Sequence, residues 1–114
     1  MQRSRRIASS ADFGLARQQG TAYRDARLVL LVRPNGLEHT RFGFVTSKRL
    51  GKAVVRNRLR RLMREAARHR ADSMREGYDV VVIATRAAVG SDYQEIIESF
   101  GSLIRKAGLI GDEG

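Results

Sequence analysis

Residue types that commonly act in catalysis are sparse in this sequence and stand apart from one another. There is no cysteine, so the chain has no thiolate nucleophile, no Cys-based metal site and no disulfide. His39 and His69 each stand alone, and the acids are scattered along the chain. A two-metal phosphodiesterase needs several carboxylates that converge on ions about 4 Å apart, and no spacing of the acids predicts that. We therefore expect neither catalytic nor metal-binding residues in this chain.

Positive charge is concentrated in one segment, residues 47–70. This segment contains ten of the 22 Lys and Arg residues and a single acid, Glu65. The other 90 residues carry 12 bases and 11 acids, so almost all of the net charge of +10 lies in the segment. A helix with only a structural role would intersperse acids, because like charges at i, i+4 cost a few tenths of a kcal/mol per pair. The charge indicates a polyanion as partner, with nucleic acid ahead of an anionic membrane surface.

The basic segment has the periodicity of an amphipathic helix. Its apolar residues recur at helical spacing, and they are Val55, Leu59, Leu62, Met63 and Ala66. A helical projection sets Arg56, Asn57 and Arg60 to one side of this apolar stripe and Arg58 to the other. One helix can therefore pack on the protein by its apolar edge and present basic side chains in two directions. The stripe has no Trp or Phe in it, which makes it poor for membrane insertion.

The rest of the chain predicts further helices and strands around this helix. Ser9 or Ser10 caps a short helix that carries Phe13 and ends at Gly20. Strands are predicted at 21–24, 27–33, 40–47 and 79–85, the third antiparallel to the second and the last buried on both faces. The final helix starts after Gly90, with Ser91 and Gln94 as a capping box, and stops at Gly108.

Within the predicted strand 40–47, Phe42, Phe44 and Thr46 share one face. Gly43 lies between the two aromatic residues and leaves the backbone open to close approach by another group, although a simple core pair of Phe is the other interpretation.

These elements predict one α+β domain over residues 1–114, arranged as a sheet with helices packed on it. The segments 1–8, a basic arm, and 109–114 are expected to be mobile ends. A strand, the basic helix and the buried strand 79–85 form a βαβ unit if the two strands pair in parallel, and the general rule makes such a crossover right-handed. No apolar run approaches 18 residues, so we expect a soluble, cytoplasmic protein with no membrane partner.

Residues 47–65, SKRLGKAVVRNRLRRLMRE, resemble the RNR signature of the protein subunit of bacterial ribonuclease P. The pattern R-x-G-x-x-x-S-K over 41–48, the pair Asp12-Phe13, Gly20 and the strand over 77–84 support the resemblance, which covers about residues 5–108. It implies an α-β-β-β-α-β-α two-layer sandwich with a left-handed βαβ crossover, a fold shared with the second domain of a small-subunit ribosomal protein. The hand therefore differs from the general rule.

The resemblance also implies a function. Ribonuclease P removes 5′ leaders from precursor tRNA, and its RNA subunit performs the reaction with bound Mg²⁺. The protein, one per RNA, docks on the catalytic RNA and holds the single-stranded leader. Carried over residue by residue, the leader-binding positions are Phe13, Arg17, Leu31, Arg56, Asn57 and Arg60. The positions that bind the RNA subunit are Lys48, Arg49, Lys52, Arg58, Arg61, Arg64 and Arg68.

This chain departs from the family at two of these positions. The family often has aromatic residues where this chain has Arg17 and Leu31, and a base-stacking platform is worth about 1–3 kcal/mol. Two other functions also remain open. One is a general basic RNA-binding module, such as a ribosome-associated protein, for which the leader would not matter. The other is an autonomous nuclease, which would have to cleave precursor tRNA without any RNA subunit.

Overall fold

The computed structural model describes residues 5–7 and 9–110, and the predicted order of elements is confirmed. In chain order they are α1 (Ser10–Gln19), β1 (Thr21–Arg24), β2 (Leu28–Pro34), β3 (Arg41–Val45), α2 (Ala53–Arg70), β4 (Tyr78–Ala84) and α3 (Tyr93–Lys106). The sheet together with α2 and α3 forms the two layers of the predicted α+β sandwich, and α1 lies across part of the other sheet face. No helix in the described part of the chain is both long and apolar enough to cross a membrane.

The four strands form one mixed sheet in the order β1-β2-β4-β3. Strand β2 pairs antiparallel with both β1 and β4, whereas β3 pairs parallel with β4. Strand β3 therefore runs opposite to β2, as predicted, but β4 lies between them. The β3-α2-β4 segment is the predicted βαβ unit with parallel strands.

The main core lies between the sheet and the two longer helices. It contains Leu28, Leu30 and Val32 of β2, Val80 and Val82 of β4, Leu59 and Met63 of α2, and Ile96, Phe100 and Ile104 of α3. Val81 of β4 points the other way, into a smaller cluster with Ile7 and Ala16. The prediction that this strand is buried on both faces is confirmed. The basic helix is thus held by its apolar edge, as its periodicity predicts.

The start of α3 differs from the prediction. Asp92, not Ser91, is the N-cap: its side chain accepts from the Glu95 N–H, and the Glu95 carboxylate accepts from the Asp92 N–H. The Ser91 hydroxyl instead accepts a hydrogen bond from Arg27 Nε at 3.1 Å. The last helical residue is Lys106, and Gly108 stops the helix as predicted. The φ of Gly108, +74°, suits glycine and lets the N–H of Leu109 bond back to the Ile104 carbonyl in the last turn.

Parts of both predicted mobile ends are packed. Arg5 donates two hydrogen bonds to Glu76, and Ile7 is buried with its N–H bonded to the Phe42 carbonyl at 2.9 Å. Leu109 is also buried, and its carbonyl accepts from the Arg75 N–H at 2.7 Å. These contacts do not fit the expectation of frayed ends at Arg5–Ile7 or at Leu109. Residues 1–4, Ala8 and 111–114 lie outside the described residues.

Candidate nucleic-acid interface

The sheet face that carries α1 is only partly covered and leaves an apolar floor. Side chains point alternately to the two faces along each strand. The strand register therefore shows which residues of neighbouring strands lie side by side on this face. Four of its apolar residues are half-buried rather than buried, and we call them the apolar floor: Val29, Leu31, Val45 and Ile83. The floor is a surface on which an extended chain can lie.

Helix α1 forms one wall beside the apolar floor. Phe13 packs over Gly43 so closely that a Cβ added there would lie 2.5 Å from the ring. Glycine is required at this position because any side chain would displace Phe13 or the strand. The group that approaches the open backbone of Gly43 is thus the protein's own Phe13, while Phe42 is buried in the main core and Phe44 is packed against it. Arg17, one turn after Phe13, is exposed on the same helix.

The other flank of α1 is tied to a buried ion-pair network. Arg41 binds Asp79 through two hydrogen bonds of 2.8 Å and lies 3.4 Å from Asp12 in the first turn of α1. Asp79 is completely buried and also accepts from Asn35 Nδ2 at 3.0 Å. Burial alone would raise the pKa of Asp79, but the hydrogen bonds from Arg41 and Asn35 outweigh it and hold the pKa below its usual value. The network fixes the position of α1 relative to the sheet.

Helix α2 supplies basic side chains beside the end of β3. Arg60 donates to Thr46 Oγ1 at 2.6 Å and to Asn57 Oδ1, and Arg56 Nε donates to the Gly51 carbonyl at 3.2 Å. Arg64 lies over the Phe44 ring, 5.9 Å from its centroid. The contacts of Arg60 place Arg60 and Asn57 on one side of α2, as the helical projection predicts.

A pocket of about 190 Å³ connects the two helices at the outer edge of β3. Its lining includes Phe13 from α1, Gly43 from the strand, and Arg60 and Arg64 from α2. The structure therefore brings Phe13 and Arg60 to one pocket and Phe13 and Leu31 to one apolar cluster. Arg17, Arg56 and Asn57 line neither.

The residues predicted to bind the RNA subunit are spread over more than one side of α2. Lys48 and Arg49 lie in a short 3-10 helix and Lys52 is the N-cap of α2, and all three are exposed. Arg58, Arg61 and Arg68 are exposed along the helix. Arg64 differs, since it is half-buried and lies beside Arg60 in the pocket.

The acids of the chain leave the basic helix largely uncompensated. Most ion pairs among the described residues hold the sheet and the chain ends: Arg5–Glu76, Arg27–Glu95, Arg33–Asp79, Arg41–Asp79 and Arg41–Asp12. Of the ten bases in residues 47–70, Arg68 pairs with Glu65, and the other nine have no carboxylate within 4.0 Å among the described residues. The field of these nine charges is therefore open to a polyanion.

Two further basic residues at this surface were not predicted as site residues. Arg6 lines the pocket because the chain before α1 pairs with the edge of β3. Arg24 lies on the same sheet face as the apolar floor. The alternation of the short predicted strand 21–24 was the available signal for Arg24, but the sequence alone does not say which face is open.

A small α+β domain with a partly open sheet face beside an uncompensated basic helix belongs to a class typical of nucleic-acid-binding proteins. The sequence matches the family model "Ribonuclease P" over residues 1–108. It is 42% identical over 106 residues to the "Ribonuclease P protein component" of Clostridium kluyveri, covering 91% of this chain and 95% of that protein. It is 36% identical to the protein of the same name from Alkaliphilus metalliredigens, and the match covers 96% of this chain and 99% of that protein.

Solved structures agree with the sequence relatives. The RNase P protein of Staphylococcus aureus superposes with a TM-score of 0.86 at 28% identity, covering 94% of this chain and 98% of that one. The RNase P protein of Thermotoga maritima superposes with a TM-score of 0.82 at 30% identity, covering 89% of this chain and 96% of that one. The chain therefore belongs to the ribonuclease P protein family and is a component of that tRNA-processing enzyme.

This likeness also decides the hand of the crossover. Superpositions of this quality over nine-tenths of the chain require every element to run the same way, and a mirror-image crossover would not fit. The β3-α2-β4 unit thus has the hand of the family, which the resemblance gives as left-handed.

Proposed function

We propose that this protein docks on the catalytic RNA of ribonuclease P and holds the 5′ leader of precursor tRNA beside it. The observation that carries the proposal is the uncompensated basic helix, which meets α1 in the pocket at the β3 edge of the sheet whose other face carries the apolar floor. This arrangement combines charges for phosphates with a surface for unpaired bases. The RNA subunit, with Mg²⁺, would supply the reaction. The cytoplasmic location expected from the sequence remains a prediction.

Among the residues that the structure describes, no group of side chains fits a magnesium site. Mg²⁺ prefers several carboxylate oxygens together with water or phosphate. Within residues 5–7 and 9–110, no three His, Cys, Asp or Glu residues lie close enough to hold a metal ion. Asp12 and Asp79, which share Arg41 as a partner, are already bound by that arginine. We therefore propose that the ion is held mainly by the RNA subunit.

The protein's contribution to the reaction would be positioning and charge. A leader held on the apolar floor and in the pocket that Phe13 and Arg60 line would lose its freedom before cleavage, which lowers the entropic cost of placing the scissile phosphate. The bases of α2 reduce the repulsion between two RNA molecules. If about six leader and RNA phosphates are neutralised, the logarithm of affinity falls with the logarithm of salt at a slope of roughly −4.

The floor is aliphatic, which bears on how leader bases are recognised. Leu31, Val29 and Ile83 offer van der Waals contact but no stacking platform, so each base loses about 1–3 kcal/mol relative to an aromatic floor. Arg17 is exposed on the wall and has a planar guanidinium on which a base can stack. We propose that leader contact here depends on phosphate charge and on Arg17 more than on base identity.

Reconstitution with a bacterial ribonuclease P RNA at low Mg²⁺ concentration tests the proposal. We expect 5′ processing of precursor tRNA to depend on the protein, and binding to be tighter for leader-bearing substrate than for mature tRNA. Equal affinity for both would instead indicate a general RNA-binding module. Cleavage by purified protein free of RNA would indicate an autonomous nuclease.

Replacing Arg60 should separate leader binding from RNA docking. Because Arg60 lines the pocket with Phe13, Arg60→Ala is expected to weaken binding of leader-bearing substrate to the holoenzyme by about tenfold. Binding of mature tRNA should change less than about twofold, and the same measurement on Arg105→Ala, an exposed arginine of α3, is the control. An equal loss for both substrates would contradict the assignment of Arg60 to the leader.

A further inference from the structure

Arg24 lies at the end of a row of residues that crosses the apolar floor. It pairs in register with Val29, which pairs with Ile83, which in turn pairs with Val45. Its neighbour Tyr23 packs against the main core on the opposite face. Because side chains alternate along a strand, Arg24 belongs to the face that carries the floor.

The charge of Arg24 is open to a ligand. The residue is exposed and has no carboxylate within 4.0 Å among the described residues. The adjacent acid, Asp25, is turned away, since its carboxylate accepts from the Ser99 hydroxyl of α3 and from the N–H groups of Arg27 and Leu28. Helix α1 makes most of its sheet contacts with β2 and β4 rather than with β1, the strand that carries Arg24. The β1 edge of the floor therefore carries an uncompensated positive charge.

We propose that Arg24 is a further leader-binding residue, which contacts a backbone phosphate where the RNA strand leaves the sheet at the β1 edge. This assignment rests on the leader binding proposed above. The basic side of α2 adjoins the end of β3, at one edge of the sheet, and Arg24 lies at the other edge. Three strand spacings of about 4.8 Å separate the edges, so the floor is roughly 14 Å wide.

The geometry makes the effect of Arg24 depend on leader length. A strand that enters beside α2 has to cross the width of the floor before it reaches Arg24. A short leader ends on the floor and gains nothing from this residue, whereas a longer one places a phosphate beside it. Phosphate contact is independent of sequence, so the gain should not depend on the leader bases.

Binding to the reconstituted holoenzyme, measured with precursor tRNAs whose leaders grow one nucleotide at a time, tests this. For Arg24→Ala we expect unchanged affinity with the shortest leaders and a loss of roughly three- to tenfold once the leader spans the floor. With the longest leader, the slope of log affinity against log salt should become shallower by about 0.7, the value for one phosphate of a single strand. Arg24→Lys should retain the slope.

Arg105→Ala is the matched control, because it removes another exposed arginine, one on α3, which packs on the other face of the sheet. A loss of the same size at every leader length, or an unchanged salt slope with the longest leader, would overturn the assignment of Arg24. If the wild-type holoenzyme gains no affinity as the leader grows, leader binding itself fails, and Arg24 with it. If the wild type gains affinity and Arg24→Ala matches it throughout, Arg24 alone is wrong.

Discussion

Asp79→Asn is expected to destabilise the protein by about 3–5 kcal/mol, because it removes one partner of a buried ion pair and leaves the other uncompensated. Asp79 has an exposed fraction of 0%, and the side chain of Arg41 has one of 18%. After the change, Arg41 keeps only Asp12, at 3.4 Å, and Arg33 loses its carboxylate at 4.0 Å. The expected result is a fall of more than about 10 °C in the thermal midpoint, measured by circular dichroism.

The pH dependence of the parent protein provides an independent measure of the same carboxylate. The pKa of Asp79 is lowered in the folded state, and so is that of Asp25, where burial is outweighed by hydrogen bonds from Ser99 and two backbone N–H groups. A lowered folded-state pKa contributes stability above the unfolded value of about 4, and this is lost as the pH falls through the folded-state value. Asp79→Asn should therefore flatten the loss of stability in acid.

An exposed carboxylate serves as the control for Asp79. Glu98 on α3 is exposed and accepts from Gln94 at 3.0 Å, so Glu98→Gln should change the free energy of unfolding by less than about 0.5 kcal/mol. A double variant, Asp79→Leu with Arg41→Met, should recover part of the lost stability, since apolar pairs often replace buried ion pairs without loss. If the free energy of unfolding of Asp79→Asn lies within about 1 kcal/mol of the parent, the buried Asp79–Arg41 ion pair does not contribute the expected stability.

The sequence predicted most elements because their signals are local. The periodicity of Leu59, Met63 and Ala66 marks the buried edge of α2, and the continuous apolar run of β4 marks a strand covered on both faces. The order of the strands in the sheet could not be predicted from such local signals. Alternation along β3 shows which residues share a face, but the insertion of β4 between β2 and β3 depends on pairing over long sequence distances.

The sequence predicted Ser91 as the N-cap of α3, whereas Asp92 occupies that position, because the Ser91 hydroxyl has another partner. Ser91 and Asp92 both suit an N-cap. The Ser91 hydroxyl is taken by Arg27, which is 64 residues away in the sequence. The packing of Ile7 and Leu109 likewise depends on partners in β3 and after α2. None of these contacts can be predicted from the local sequence pattern, because each joins residues that are far apart in the sequence.

The candidate site also has features that the local sequence predicts and features that depend on long-range packing. The uncompensated charge of α2 and its two directions follow from composition and helical spacing alone. The apolar floor, by contrast, exists because α1 covers one part of a sheet face and leaves Val29, Ile83 and Val45 half-buried. No single strand pattern distinguishes a half-open face from a closed one, and for this reason Arg24 was not predicted.

Arg58→Ala combined with Arg61→Ala is expected to weaken assembly with the RNA subunit by roughly 10- to 100-fold while leaving the leader effect intact. Both side chains are exposed on α2. Arg58 precedes Arg60 by two residues, a rotation of about 200° around the helix, so it points away from Thr46 and the pocket. If each arginine meets a phosphate of folded RNA, the salt slope for assembly becomes shallower by about 0.9 per residue.

A charge-matched control keeps this effect apart from a general loss of positive field. Arg105→Ala with Lys106→Ala removes two exposed charges from α3 and should leave assembly within about twofold of the parent. In the double variant at saturating RNA, the affinity ratio of leader-bearing to mature substrate should match the parent, whereas Arg60→Ala should lower it. Unchanged assembly, or a leader effect lost in parallel with docking, would mean that α2 does not address two RNAs from two sides. In that case its charges act as one undivided field.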